Sequence, residues 1–193
     1  SELGYVGLRN LAATCYMNSL FQVLHQLPDF LTELFKSTDK NIFHLQRIMA
    51  SLLLSKRDII DPKLFIDEWT GGWNKKIVDY HKPQDIIEFF LYLIEDFPEE
   101  AQKLFRGEYA ISRQAENYNT TTTEMFQVIT AKVKGFTNLK DSLHSTIEPE
   151  ILTNYEIQPN VRKSIQQITK IKTNPKILFI QLNRKEYDEH MNP

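Results

Sequence analysis

Two patterns of apolar residues divide this chain. Up to about residue 105 they recur at helical spacing. Over "CYMNSLFQVLHQL", Met17, Leu20, Phe21, Leu24 and Leu27 fall on one face, and Pro28 stops the helix. "DFLTELFK" and "IFHLQRIMASLLLSK" continue in the same style. In "IDPKLFIDEW", Asp61 caps a helix with Pro62 at its first position. "PQDIIEFFLYLIEDF" carries the strongest helical pattern, apolar at 86, 87, 90, 91 and 94.

The second pattern is strand-like. "EYAISR", "EMFQVITAKVKGF" and "KILFIQLNR" are rich in β-branched and aromatic residues with partial alternation. Between the first two lies "QAENYNTTTTE", polar and low in complexity, which reads as an exposed loop tip. "NLKDSLHS" reads as a short helix or turn between strands. Helices first and strands later predict an α+β arrangement rather than alternating βαβ units. No internal repeat is visible.

Composition narrows the class. A chain of 193 residues suits one domain, or one and a half, with a sizeable core. The net charge of −2 gives no strong pull toward nucleic acid or an anionic membrane surface. No apolar run approaches the roughly 20 residues of a membrane span. The opening "SELGYVGLRN" lacks the charged and apolar regions of a signal peptide. One cysteine rules out an internal disulfide and a four-cysteine zinc site, and favours a reducing compartment, cytosol or nucleus. "NTT" at Asn119 to Thr121 fits a glycosylation acceptor formally, but in such a compartment it is an ordinary loop.

That cysteine, Cys15, has two readings. A lone free cysteine is most often a small buried hydrophobe. Three local features point the other way. Thr14 is a plausible helix N-cap, which puts Cys15 in a first helical turn, where unpaired N–H groups stabilise a thiolate. Cys15 shares its helical stripe with Asn18, Ser19, Gln22 and Gln26 rather than with the Leu and Phe stripe. Ala12 and Ala13 leave room for a close approach, and Asn10 offers an amide donor to a developing oxyanion. A thiolate also needs a base. His25 lies ten helical residues on, about 15 Å along the axis, too far to serve. His44, His81, His144 and His190 carry no local signature.

"GLRNLAATCYMNSLFQ" resembles the cysteine box of the ubiquitin-specific proteases, departing from it at Ala12, where glycine is usual. Two further boxes resemble the family's in the same order. They are "PQDIIEFFLYLIEDF" and "NPKILFIQLNRKEYD", the latter with Lys185 where phenylalanine is usual. "LKDSLHSTIEPEIL" between them resembles the family's segment before the palm strands.

The resemblance implies a papain-like cysteine protease fold: a helical thumb over 1–105, then a β-rich fingers and palm portion over 106–193. It implies a deubiquitinase in which Cys15 attacks the carbonyl after ubiquitin's C-terminal glycine and Asn10 helps form the oxyanion hole. Gln84, Asp85 and Glu88 would line the substrate cleft, where carboxylates pair with arginines of ubiquitin's tail. The partners implied are ubiquitin and ubiquitinated proteins. No nucleic acid, membrane, cofactor or metal enters this scheme. Many members bind zinc through two C-x-x-C pairs in the fingers, but "RGEYAISRQAENYNTTTTEMF" has no cysteine, so no structural zinc is expected and the finger tip should be short or mobile. The family's histidine sits in a G-H-Y box beyond the last strand box, with an Asp or Asn to orient it. No "GHY" occurs here. The expectation is therefore a catalytic domain incomplete at its C-terminus, weak or inactive as an isolated chain. The alternative is a catalytically inactive ubiquitin-binding or scaffold module.

Overall fold

A computed structural model of the chain describes residues 5–69 and 79–184. The fold is α+β, and the chain divides into two compact units, Ser1–Leu104 and Phe105–Pro193. Among the described residues, no helix is long and apolar enough to cross a membrane.

The first unit is built from helices around an aromatic centre. They are α1 (Cys15–Leu24), α2 (Pro28–Lys36), α3 (Phe43–Leu54), α4 (Lys63–Glu68), α5 (Ile86–Glu95) and α6 (Glu99–Phe105), whose last residue falls in the second unit. Met17, Phe21 and Leu24 of α1 are fully buried, as the periodicity predicts. Leu27 differs. It lies beyond the end of α1 and precedes Pro28, which opens α2 rather than merely stopping α1. Phe21 meets Phe65 of α4 edge-on at 5.0 Å and Phe89 of α5 at 6.0 Å. Phe65 stacks on Trp69 at 5.3 Å, and the indole N–H of Trp69 donates to Asp96 at 2.7 Å. Asp61 accepts from the N–H of Lys63 at 2.9 Å, but Pro62 stands at the N-cap and Lys63 is the first residue of α4, one position later than the pattern predicts. Two short strands, β1 (Gly7–Leu8) and β2 (Ile59–Ile60), pair in parallel. They bring the segment before Cys15 alongside the segment after α3.

The second unit is a sheet. Strands β3 (Gly107–Ala115), β4 (Tyr118–Phe126), β6 (Glu150–Gln158) and β7 (Val161–Thr173) form an antiparallel layer in the order β4-β3-β7-β6. Strands β5 (Val128–Lys132) and β8 (Phe179–Asn183) pair in parallel. Helix α7 (Leu139–Ser145) follows β5, capped by Asn138, with Ser142 donating to the carbonyl of Lys132 at 2.6 Å.

The polar stretch "QAENYNTTTTE" corrects the loop reading. It is a hairpin whose turn holds only Glu116 and Asn117, with Asn117 at φ 61°, and the four threonines lie in β4. Threonine is β-branched and fits a pleated strand whether or not its face is covered. Pro159 and Asn160, at φ 66°, make the corresponding two-residue turn between β6 and β7.

Candidate active site

Cys15 is the first residue of α1 and is exposed, so the buried-hydrophobe reading fails. The loop before it is held in an unusual way. Thr14 stands at the N-cap position but makes no forward cap. Its hydroxyl instead accepts from the N–H of Leu11 at 3.0 Å and donates to Asn10 Oδ1 at 3.0 Å. The N–H of Thr14 also donates to Asn10 Oδ1, at 3.1 Å. An N–H can only donate, so the Asn10 atom facing it must be the oxygen. The group that Asn10 has left is therefore its amide donor, Nδ2. Thr14 is fully buried, which fixes this knot from beneath. Between them, Ala12 sits at φ 69°, in the left-handed region that costs a Cβ-bearing residue about 1–2 kcal/mol.

The polar stripe of α1 ties the same segment down from the other side. Asn18 Nδ2 donates to the carbonyl of Arg9 at 3.1 Å, and Gln22 Nε2 donates to that of Val6 at 2.9 Å. The spacing that kept Cys15 off the core thus also supplies the clamps for its loop. The polar face that the sequence predicts for Asn18 and Gln22 carries a structural task as well.

Two more pieces close around the helix start. The N–H of Ala13 donates to the carbonyl of Tyr80 at 2.8 Å, which lays the segment before α5 along the cysteine loop. Tyr16, next to Cys15, meets Phe89, next to Glu88, edge-on at 5.3 Å. The first turns of α1 and α5 are therefore neighbours, and the structure brings Asn10, Cys15 and the Gln84 to Glu88 stretch into one region. Burial pushes the phenol of Tyr16 up to about 12, with the charges of Cys15 and Asp79 adding to the rise. Tyr16 thus stays a neutral wall beneath the thiol.

Asp85 has a local task beside the role that the family resemblance implies. Its Oδ1 accepts from the N–H groups of Ile87 at 2.7 Å and Glu88 at 3.0 Å, capping α5. "DIIE" has the spacing of a capping box. Gln84 is half-buried and Glu88 exposed. Among the described residues, no histidine hydrogen-bonds the sulfur of Cys15. His81 is exposed, its ring lies tilted against Tyr80 at 4.3 Å, and its backbone N–H donates to Asp79 at 3.1 Å. Lys185 and His190 lie outside the described residues.

The site thus holds an exposed thiol at a helix start, behind a loop tied by asparagine and threonine. The chain belongs to the ubiquitin carboxyl-terminal hydrolase family, whose model matches residues 6–193. It is 30% identical over 212 residues to ubiquitin carboxyl-terminal hydrolase 24 of Homo sapiens, covering 97% of this chain and 8% of that protein. It is 29% identical over 213 residues to ubiquitin carboxyl-terminal hydrolase 15 of Schizosaccharomyces pombe, covering 97% of this chain and 18% of that protein. With ubiquitin C-terminal hydrolase 13 of Arabidopsis thaliana it shares 28% over 204 residues, again 97% and 18%. The chain thus spans less than a fifth of the length of these relatives.

Proposed function

We propose that this chain is the thiol-bearing part of a cysteine-type deubiquitinase. The observation that carries the reading is the exposed Cys15 at the start of α1, with the Asn10 carboxamide pinned through its oxygen so that its amide faces the work of a donor. Cys15 Sγ attacks the carbonyl carbon of the isopeptide or peptide bond after ubiquitin's C-terminal glycine. The tetrahedral oxyanion is held in part by Asn10 Nδ2. Collapse expels the amine, which takes a proton from a general acid, and leaves a thioester that water cleaves. In the family resemblance that acid is the imidazole of a G-H-Y segment, a triplet this sequence does not contain. Gln84, Asp85 and Glu88 flank the cleft, with Glu88 and the uncapped side of Asp85 facing the arginines of ubiquitin's tail. Residues 1–105 serve as thumb and 106–193 as fingers and palm. Ubiquitin and ubiquitinated proteins are the partners, in cytosol or nucleus.

A second reading is a ubiquitin-binding module without hydrolysis. Ala12 favours it, because its strained φ of 69° stands in the loop that positions Asn10. The test treats the natural full-length protein with ubiquitin bearing a C-terminal electrophile. The proposal expects one ubiquitin attached at Cys15 and none in Cys15→Ser; no adduct in the unaltered protein overturns it. Binding of ubiquitin without release of a C-terminal fluorophore decides for the second reading.

A further inference from the structure

We propose that the cavity between α3, β2 and α4 binds a phosphate monoester carried on a small apolar group. The cavity measures about 310 Å³, within the range of small-molecule sites. One stripe of α3 lays down its polar wall. His44, Arg47 and Ser51 recur at steps of three and four residues and so share a face of α3, and Ser55 adds its hydroxyl from the C-cap. Arg57 follows from the turn after α3, and Ile48, Ile60, Leu64 and Phe65 supply the apolar wall.

The charge balance points to an anion. The Arg47 guanidinium lies over the Phe43 ring at 5.9 Å, which orients it without neutralising it. Among the described residues, neither Arg47 nor Arg57 has an ion-pair partner. Asp61 also lines the cavity, but both of its oxygens are engaged. Oδ2 accepts from Arg9 Nη1 at 3.2 Å and Oδ1 from the N–H of Lys63 at 2.9 Å. Two cations thus face one carboxylate that is already paired.

A neutral group fits the same ligand: Ser55 Oγ accepts from the N–H of Arg57 at 3.0 Å, which leaves its O–H to donate. One influence opposes an anion: the negative end of the α3 dipole lies near Ser55. Charge-assisted hydrogen bonds from two arginines outweigh it. A phosphate monoester carries close to two negative charges and matches the forked geometry of arginine. The apolar wall distinguishes an organic monoester from the bare ion.

The test is calorimetric titration of the natural full-length protein with phenyl phosphate, inorganic phosphate and N-acetyl-phosphotyrosine amide. Phenyl phosphate should bind saturably at one site, about tenfold tighter than inorganic phosphate because its ring is buried. Arg47→Gln and Arg57→Gln should each weaken it about tenfold, and Lys56→Gln, next in sequence but outside the lining, should not change it. Both arginines are exposed, and melting of each unliganded variant checks that the fold is kept. No saturable binding, or unchanged binding in both arginine variants, overturns the site. Equal binding of inorganic phosphate overturns the organic ligand. Phosphotyrosine amide tighter than phenyl phosphate assigns the monoester to a protein side chain, and equal or weaker binding assigns it to a free small molecule.

Discussion

The two units hold together by different physics. In the helical unit, Phe21 of α1, Phe65 of α4 and Phe89 of α5 are buried, and Phe21 meets the other two edge-on. Phe65 stacks on Trp69, and the buried Phe30 of α2 packs against Phe97. In the sheet unit, β4 and β6 are exposed along most of their length. There a polar chain crosses all four strands. Thr122 of β4 accepts from Arg113 of β3 at 3.2 Å, Arg113 Nε donates to Gln167 of β7 at 2.7 Å, and Gln167 Nε2 donates to Glu150 of β6 at 2.6 Å. Dense aromatic packing fixes side chains to fractions of an ångström, and a thiol site needs that. An open polar sheet offers area instead, as a surface for another protein requires. The knot around Cys15 stands on the first kind of support, through Tyr16 and Phe21 against Phe89.

The sharpest way to break this contrast is to truncate the shared ring. Phe89→Ala should cost about 3–5 kcal/mol in urea unfolding and reduce the electrophile labelling of Cys15 with it. Ile151→Ala on the open sheet, where the side chain is 73% exposed, should stay within about 0.5 kcal/mol. Similar losses at both positions would show that the sheet's exposed face is a core after all.

The polar chain predicts a smaller but measurable effect in the other unit. Arg113→Ala removes the donor to Gln167 and Thr122 and the cation above the Tyr155 ring at 5.9 Å. The loss should be about 2 kcal/mol, read by amide exchange in β3 and β7, with labelling of Cys15 unchanged. A change confined to the helical unit would reverse the assignment.

Alkaline titration probes the wall of the cysteine site, although burial also raises the phenol of Tyr109 in β3. The Tyr16 phenol is raised from 10.0 to about 12 by burial, then by the Cys15 and Asp79 charges. Below pH 10 it is neutral folded or unfolded and has no effect on stability. Between pH 10 and 12 the unfolded chain ionises while the folded one does not, so stability falls as pH rises, by on the order of 2 kcal/mol in all. Tyr16→Phe should remove that part of the slope; an unaltered slope would mean that the ring beside Cys15 is wetter than its burial implies.

Legibility followed the same division. Helices packed on one face print a period of 3.6 on the sequence, and Met17, Leu20, Phe21 and Leu24 were readable as core from that alone. A strand wet on both faces prints no period, so Thr120 to Thr123 read as a loop although their β-branching argued for a strand. At the site, Cys15 was legible because its stripe was polar. The reverse hydrogen bonds from Thr14 to Asn10 were not, because a threonine before a helix signals a forward cap and nothing local tells which way its hydroxyl turns. Asp85 shows the converse. Its capping role was written in "DIIE", while the family resemblance drew the reading toward substrate.

The smallest predicted effect bears most directly on the cysteine loop. Ala12 holds φ 69°, a conformation glycine adopts freely and alanine at a cost. Ala12→Gly relieves that strain but loosens the unfolded chain, and the second effect recovers only part of the first. The net should be a gain of about 1 kcal/mol in unfolding. Stability and reactivity then distinguish two roles for the strain. If the strained loop merely tolerates alanine, labelling of Cys15 is unchanged while stability rises. If alanine displaces Asn10 from the oxyanion position, labelling speeds up as stability rises, and the non-hydrolytic reading loses the observation that favours it. A fall in stability would mean that the dense unit already absorbs the left-handed turn at no cost, and the contrast between the two units would then extend to the backbone as well as the side chains.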